Sequence, residues 1–189
     1  MTTRLSLVCH GPTAANRSIA FPADEPLDPR SLSKLTALSS LRDADRFWTS
    51  PALRAVQTAK ALLLDATVDP SLRDCDYGRW SGLSFEDVQA REPEALVEWM
   101  GDSAASPHGG ESTLNVMARV AAWLDEQKKT TGRVVAVTHA TVIRAAVIHA
   151  IGATSVSMAR IDIAPLSVVR LSGHDDRWNL VSLGERAGG

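Results

Sequence analysis

The 189-residue chain is predicted to adopt an α/β fold, with helices covering a mainly parallel sheet. Three observations carry that prediction. Two apolar runs, Arg4 to Cys9 and Val134 to Thr138, have the length and composition of buried strands. Segments with helical spacing of apolar residues alternate with the strand-like runs. Each of the two runs also ends on a histidine, His10 or His139. Open α/β sheets gather chemistry there, because side chains at the carboxyl ends of the strands face a shared crevice.

The elements follow in order. After the first strand, Arg46 to Thr49 reads as a shorter one, and Ser50-Pro51 as the opening of a helix, serine at the N-cap and proline at the first helical position. Ala52, Ala55, Val56, Ala59, Leu62 and Leu63 share one face of that helix. A second helix is expected from about Ser112 to Lys129, burying Leu114, Met117, Ala121 and Leu124, with Gly132 placed to end it. A third follows His139, with Ile143, Ala146, Val147, Ala150 and Ile151 inward and Gly152 beyond. Ser167 to Leu171 and Trp178 to Leu183 read as a hairpin around Gly173-His174-Asp175-Asp176.

Residues 84–110 stand apart, combining two short helical patterns with the breaker-rich loop Ser103 to Gly110. Such an insertion beside a strand-end crevice is expected to act as a lid or specificity cap on one domain spanning residues 1–189. Its surplus of acids, including Glu86, Asp87 and Glu92, is read as a solvated helical surface.

A hydrophobic content of 44% with 22% charged residues is that of a globular core and a wet surface, and excludes a disordered chain. A net charge of −2 and scattered lysines and arginines give no general attraction to nucleic acid or to anionic membranes. No apolar run approaches membrane-spanning length, and Met1-Thr2-Thr3-Arg4 leads straight into the first strand, so the expected location is the cytoplasm. The two cysteines, Cys9 and Cys75, have no zinc-ribbon or Cys-x-x-Cys spacing and read as reduced thiols. A homodimer through the tail hairpin and Trp178 is conceivable, though core packing of that tryptophan is the preferred reading.

Five motifs occur in a specific order: Cys9-His10-Gly11-Pro12-Thr13-Ala14-Ala15-Asn16, Ser50-Pro51-Ala52-Leu53-Arg54, Leu72-Arg73-Asp74-Cys75-Asp76-Tyr77-Gly78, Gly109-Gly110-Glu111-Ser112, and Thr138-His139-Ala140-Thr141-Val142-Ile143-Arg144. This set resembles the histidine phosphatase superfamily, the phosphoglycerate mutase-like phosphatases, from residue 4 to about 150. The resemblance implies a three-layer α/β/α sandwich and a metal-independent, cofactor-free phosphatase acting on a small phosphomonoester. The mutases it resembles are longer, which favours hydrolysis.

The resemblance also implies roles. His10 matches the nucleophile, whose neutral imidazole attacks phosphorus to give a phosphohistidine. His139 matches the second histidine and Arg54 a cationic donor to the equatorial oxygens. Asn16 matches a phosphate contact; Thr13 either assists it or stabilises the turn. Asp74 stands at the position of the acid that protonates the leaving alkoxide, where the family has glutamate, with Asp76 as runner-up. Arg144, farther along its helix, is expected to be a structural ion-pair partner.

One motif departs from the pattern. The family reads Arg-His-Gly, and here Cys9 takes the arginine position, replacing a fixed cation and planar fork with a thiol. Two function classes follow: a phosphatase weakened by that loss, or a phosphate-binding pseudoenzyme of the same fold. Cys9 as a nucleophile is disfavoured, because cysteine-dependent phosphatases place an arginine six residues on, where Ala15 stands. A zinc site from Cys9, His10, Cys75 and His139 has no recognised ligand spacing.

Overall fold

The computed structural model describes residues 2–30 and 41–186. A six-stranded sheet is built from β1 (Thr2–Cys9), β2 (Arg46–Thr49), β3 (Thr67–Val68), β4 (Gly132–Thr138), β5 (Ser167–His174) and β6 (Arg177–Arg186), in the order β3-β2-β4-β1-β5-β6. β1, β2, β3 and β4 pair in parallel, and β5 runs antiparallel to both β1 and β6. The parallel register Cys9 opposite Thr138 brings the ends of β1 and β4 level, so His10 and His139 leave the sheet side by side.

Alternation along the strands sorts the core into two layers. Leu5, Leu7 and Cys9 of β1, with Val134 and Ala136 of β4, pack under α5 (Thr113–Lys128) and α6 (Ala140–Ile151). Val8, Val135 and Val137 face the other way, against Ala55, Ala59 and Leu62 at α2 (Leu53–Ala61). These layers make the α/β/α sandwich.

The helices depart from expectation in instructive ways. α2 starts at Leu53, not after Ser50, because its cap comes from another segment: Leu53 N donates to Asp24 Oδ1 at 2.7 Å. Leu63 falls beyond the helix, 71% exposed and at φ 58°. α5 buries Val116, Val120, Trp123 and Leu124, a face rotated from the predicted one, and leaves Leu114 45% exposed. Gly132 does not end that helix but opens β4 at φ 126°, where a Cβ would sit 2.8 Å from Asp45 Oδ2. α6 ends on Gly152 in the left-handed region, as predicted, although Ile151 is 52% exposed. The tail is a hairpin, and Trp178 is buried against Gly173.

Three short helices complete the face above the strand ends: α1 (Ala14–Ser18), α3 (Phe85–Arg91) and α4 (Pro93–Gly101). α3 is capped by Ser84, whose Oγ accepts from Asp87 N, and α4 carries proline at its first position. Together they enclose a core of their own around Phe21, Trp80, Val88 and Leu96. Among the described residues, no helix is long and apolar enough to cross a membrane.

Candidate active site

His10, one residue beyond β1, is 5% exposed and held at both ends. Its backbone N–H continues the sheet to Thr138 O. Its ring Nδ1 lies 2.7 Å from Gly11 O. A carbonyl can only accept, so Nδ1 carries the proton and the lone pair is left on Nε2. That nitrogen is 3.3 Å from Arg54 Nε, which donates to it. Burial lowers the pKa of His10 below its ordinary 6.5, outweighing the Gly11 hydrogen bond. The imidazole is therefore neutral at pH 7, with its Nε2 lone pair turned toward Arg54.

His139 caps α6, its ring 5.1 Å from that of His10 at 63°. Ser50 Oγ lies 2.7 Å from its Nε2, and Asp74 Oδ2 lies 3.3 Å from its Nδ1 without hydrogen-bond alignment. Burial pulls its pKa down to about 3 despite the nearby carboxylate. Ser50 Oγ also accepts from Ala52 N at 3.2 Å, so it holds the turn before α2 and His139 together while standing two residues ahead of the N-cap, Ala52.

Arg54, the second residue of α2, is 2% exposed. Besides His10 it donates to Ala23 O at 2.7 Å and to Asp74 Oδ2 at 2.8 Å, with Glu25 Oε2 at 3.8 Å. Burial alone would raise the pKa of Asp74, but His139, Arg54 and His10 together hold it below the ordinary carboxylate value. Asp74 is accordingly the ionised partner of a largely buried guanidinium.

The loop that presents Asp74 is built by the Gly-Gly-Glu motif. At Gly110 a Cβ would stand 2.0 Å from Asp76 O, and at Gly78 one would stand 2.2 Å from His108 O, so both positions demand glycine for close backbone approach. Glu111 N donates to Asp76 O at 2.8 Å. The Glu111 carboxylate accepts from Arg73, Arg119 and Asp76 N, while Arg119 also donates to the carbonyls of Ser71, Arg73 and Asp74. Arg119 stands two turns along the helix that Glu111 precedes, and sequence reasoning missed it; the acid in the motif was the available signal.

A cavity of about 140 Å³ opens over these groups, lined by His10, Asn16, Glu25, Arg54, Asp74 and Tyr77 among others. Ala140 and Thr141, the first turn of α6, also line it and add the positive end of that helix. Asn16 accepts from Thr13 N through Oδ1 at 2.9 Å, which leaves its Nδ2 as the donor end. Thr13 itself is fully buried as the cap of α1 and bonds Asn16 and Glu25. It does not line the cavity. Asp76 is exposed and accepts from Gly78 N at 2.8 Å, a turn carboxylate outside the cluster. Sequence reasoning gave no site role to Glu25, to Ser50, which it read as a helix cap, or to Tyr77; each reaches the site through a tertiary contact.

Cys9 is 2% exposed and packs in the core beneath α6, its thiol pushed up to about 12 by burial. A thiol that does not ionise is neither a nucleophile nor a substitute for a guanidinium. Among the described residues, no group of three or more His, Cys, Asp and Glu is arranged to hold a metal ion. Arg144 forms no ion pair among the described residues; its Nε donates to Ile161 O at 2.7 Å and it lines a second, adjoining cavity. The expected structural ion pair is replaced by this backbone contact.

A doubly layered sheet carrying two strand-end histidines over an arginine and a carboxylate defines a phosphoglycerate mutase-like α/β protein. Within that class, the chain belongs to the histidine phosphatase superfamily (branch 1), whose family model matches residues 5–186. The mycobacterial glucosyl-3-phosphoglycerate phosphatase Rv2419c, solved in complex with VO3, shares 28% identity at a TM-score of 0.84, over 96% of this chain and 98% of that one. The glucosyl-3-phosphoglycerate phosphatase of Mycolicibacterium vanbaalenii is 30% identical over 125 residues, 61% of this chain and 56% of that protein. The bifunctional protein Rv2228c of Mycobacterium tuberculosis is 42% identical over 76 residues, 38% of this chain and 21% of that protein. The chain therefore spans only part of the curated relatives it matches.

Proposed function

We propose that the chain is a metal-independent phosphatase that hydrolyses a small phosphomonoester through a phosphohistidine on His10. The observation that carries this reading is the fixed tautomer of His10, with Nε2 unprotonated and held by Arg54 in the cavity shared with Asp74. In the first step the Nε2 lone pair forms the N–P bond as the ester P–O bond breaks. Arg54, Asn16 and the first turn of α6 bind the equatorial oxygens, where charge is concentrated. The incoming dianion competes for Arg54; with its counterion drawn away, Asp74 rises in pKa, takes a proton from solvent and delivers it to the leaving alkoxide. Water then attacks phosphorus, Asp74 accepts the proton, and His10 and inorganic phosphate are released.

Names of relatives support this reading, since glucosyl-3-phosphoglycerate phosphatase and phosphoserine phosphatase 1 are among the similar proteins. Rapid acid-free denaturation during turnover of a radiolabelled aryl phosphate tests it. An acid-labile, base-stable phosphoenzyme is expected in the native chain and absent in His10→Ala, with activity down about 10³-fold or more. Hydrolysis that persists in His10→Ala but stops with a chelator overturns it.

A second reading rests on Cys9. The cavity is lined by one arginine and two carboxylates, Glu25 and Asp74, so a dianion meets less positive charge than two arginines would provide. On that reading the chain binds phosphate without turning it over. An inert native chain, together with a folded Cys9→Arg variant that gains His10-dependent activity, decides for it.

A further inference from the structure

The phosphoryl cavity does not end at Tyr77. A second cavity of about 380 Å³ adjoins it and shares Ala15, Asn16, Ala20, Pro22 and Tyr77 with it. On the phosphatase reading, an ester held with phosphorus at His10 extends its alcohol past these shared residues into this space. The remaining lining is Ile19, Phe21, Phe85, Trp99 and Arg144.

The wall is apolar and set in advance. Phe21 is its hub, with ring centroids 5.1 Å from Tyr77, 5.5 Å from Trp99 and 6.5 Å from Phe85. Those rings fix one another in edge-to-face and stacked geometries, so little order has to be imposed when a ligand arrives. The rim carries an independent sign. Ile19 is 76% exposed at φ 49° and ψ 55°, a left-handed conformation in which a β-branched residue is strained. Its carbonyl accepts from Phe85 N and so pins the strained turn to α3. An exposed isoleucine in a position suited to glycine or asparagine gains nothing from burial in this state; contact with an apolar ligand is what its side chain offers.

Arg144 supplies the opposite character. Its guanidinium is tethered through Nε to Ile161 O and meets no carboxylate among the described residues. It is a cation at the edge of an aromatic chamber.

We infer that this chamber receives the leaving group and selects a planar apolar ring that bears a carboxylate for Arg144. The inference rests on the phosphatase reading of the adjoining cavity, because that reading sets the direction of the ester. Trp99 and Arg144 are its specificity-determining residues.

Binding of non-hydrolysable phosphonates, measured by calorimetry, separates the two ideas. Native protein is expected to bind benzylphosphonate about tenfold or more tightly than methylphosphonate, as burial of a phenyl ring requires. Trp99→Ala should shrink that ratio to about threefold. A carboxylate in the para position should add about fivefold or more in the native chain and nothing in Arg144→Gln. Circular dichroism verifies that each variant is folded, and Ile19→Ala on the exposed rim replaces Trp99→Ala if the latter is not. Equal affinity for the benzyl and methyl ligands overturns the apolar subsite, and no gain from the carboxylate overturns the role of Arg144. Failure to hydrolyse benzyl phosphate, or hydrolysis independent of His10, counts against the phosphatase reading alone, since the order of phosphonate affinities is read without turnover.

Discussion

The two adjoining cavities are built on opposite principles. Around His10 the charged and polar groups are tied by directed bonds, several drawn from distant parts of the chain: Gly11 to Thr58, Arg54 to Ala23 and Asp74, Ser50 to His139. Around Phe21 the walls are rings resting on rings. Directed bonds fix atoms to within fractions of an ångström, which chemistry at phosphorus needs, and they fail abruptly when one partner is lost. Ring packing tolerates change of shape and loses energy gradually. Substitutions in the first cavity should therefore act on rate and fold together, and those in the second on selectivity.

Arg54→Met is the hardest test of that contrast. It removes the one arginine that lines the cavity over His10 among the described residues and leaves the Asp74 carboxylate largely buried without its cation. Activity should fall about 10²–10³-fold in kcat/KM. Stability should fall by about 3 kcal/mol at neutral pH, read by chemical denaturation. A variant that loses activity but unfolds like the native chain would show that the ion pair is not what holds the wall.

Arg119→Met probes the same cavity one step removed. Arg119 does not line the cavity over His10 but grips the carbonyls of Ser71, Arg73 and Asp74 and the Glu111 carboxylate. Loss of that clamp should cost about tenfold in kcat with little change in KM, since the acid is misplaced and the phosphate site is not. A shifted basic limb of the pH profile distinguishes a displaced acid from a merely less stable protein.

The pH dependence carries two signs. On the proposed mechanism His10 attacks as a neutral imidazole, and burial lowers its pKa, so the acid limb of kcat/KM should lie below pH 6.5. His139 is buried neutral with a pKa of about 3, so below pH 6.5 the unfolded chain binds a proton that the folded one does not. Stability is then fully present above pH 6.5 and is lost as the pH falls toward 3. The depressed Asp74 adds to the loss at the acid end, below the ordinary carboxylate value of 3.8. Thermal unfolding of the native chain and of His139→Gln between pH 7 and pH 5 checks this; parallel decline in both would overturn it.

Legibility in the sequence follows the same division. The sheet was readable because β4 and the end of β1 are buried on both faces and written in apolar residues, and β1 begins with the alternation of a half-buried strand. His10, Arg54, Asp74 and His139 were found from ordered motifs, and the structure brings all four together. The start of α2 was not, because its first N–H is met by Asp24, supplied across a loop, while the local serine bonds Ala52 N and His139 ahead of the helix. The buried face of α5 was placed only in part: Leu124 is buried and Met117 packs against the core as expected, but Leu114 is exposed, and Val116, Val120 and Trp123 fill the face against the sheet. The aromatic chamber was invisible: Phe21, Tyr77 and Trp99 lie in three separate segments and no local pattern joins them.

The smallest effect gives the finest separation of the two cavities. If Ile19 is kept for ligand contact, then Ile19→Asn should relieve the left-handed strain, since asparagine occupies that region at little cost. The expected gain is about 0.5–1 kcal/mol, or about 1–4 °C in melting temperature at this chain length. Affinity for benzylphosphonate should fall about two- to threefold at the same time, while the fall for methylphosphonate, which ends short of the rim, should be smaller. Opposite movement of stability and apolar affinity marks a residue whose strain is retained for binding. A variant neither more stable nor weaker in apolar binding would reduce Ile19 to an incidental feature of the turn between α1 and Phe21.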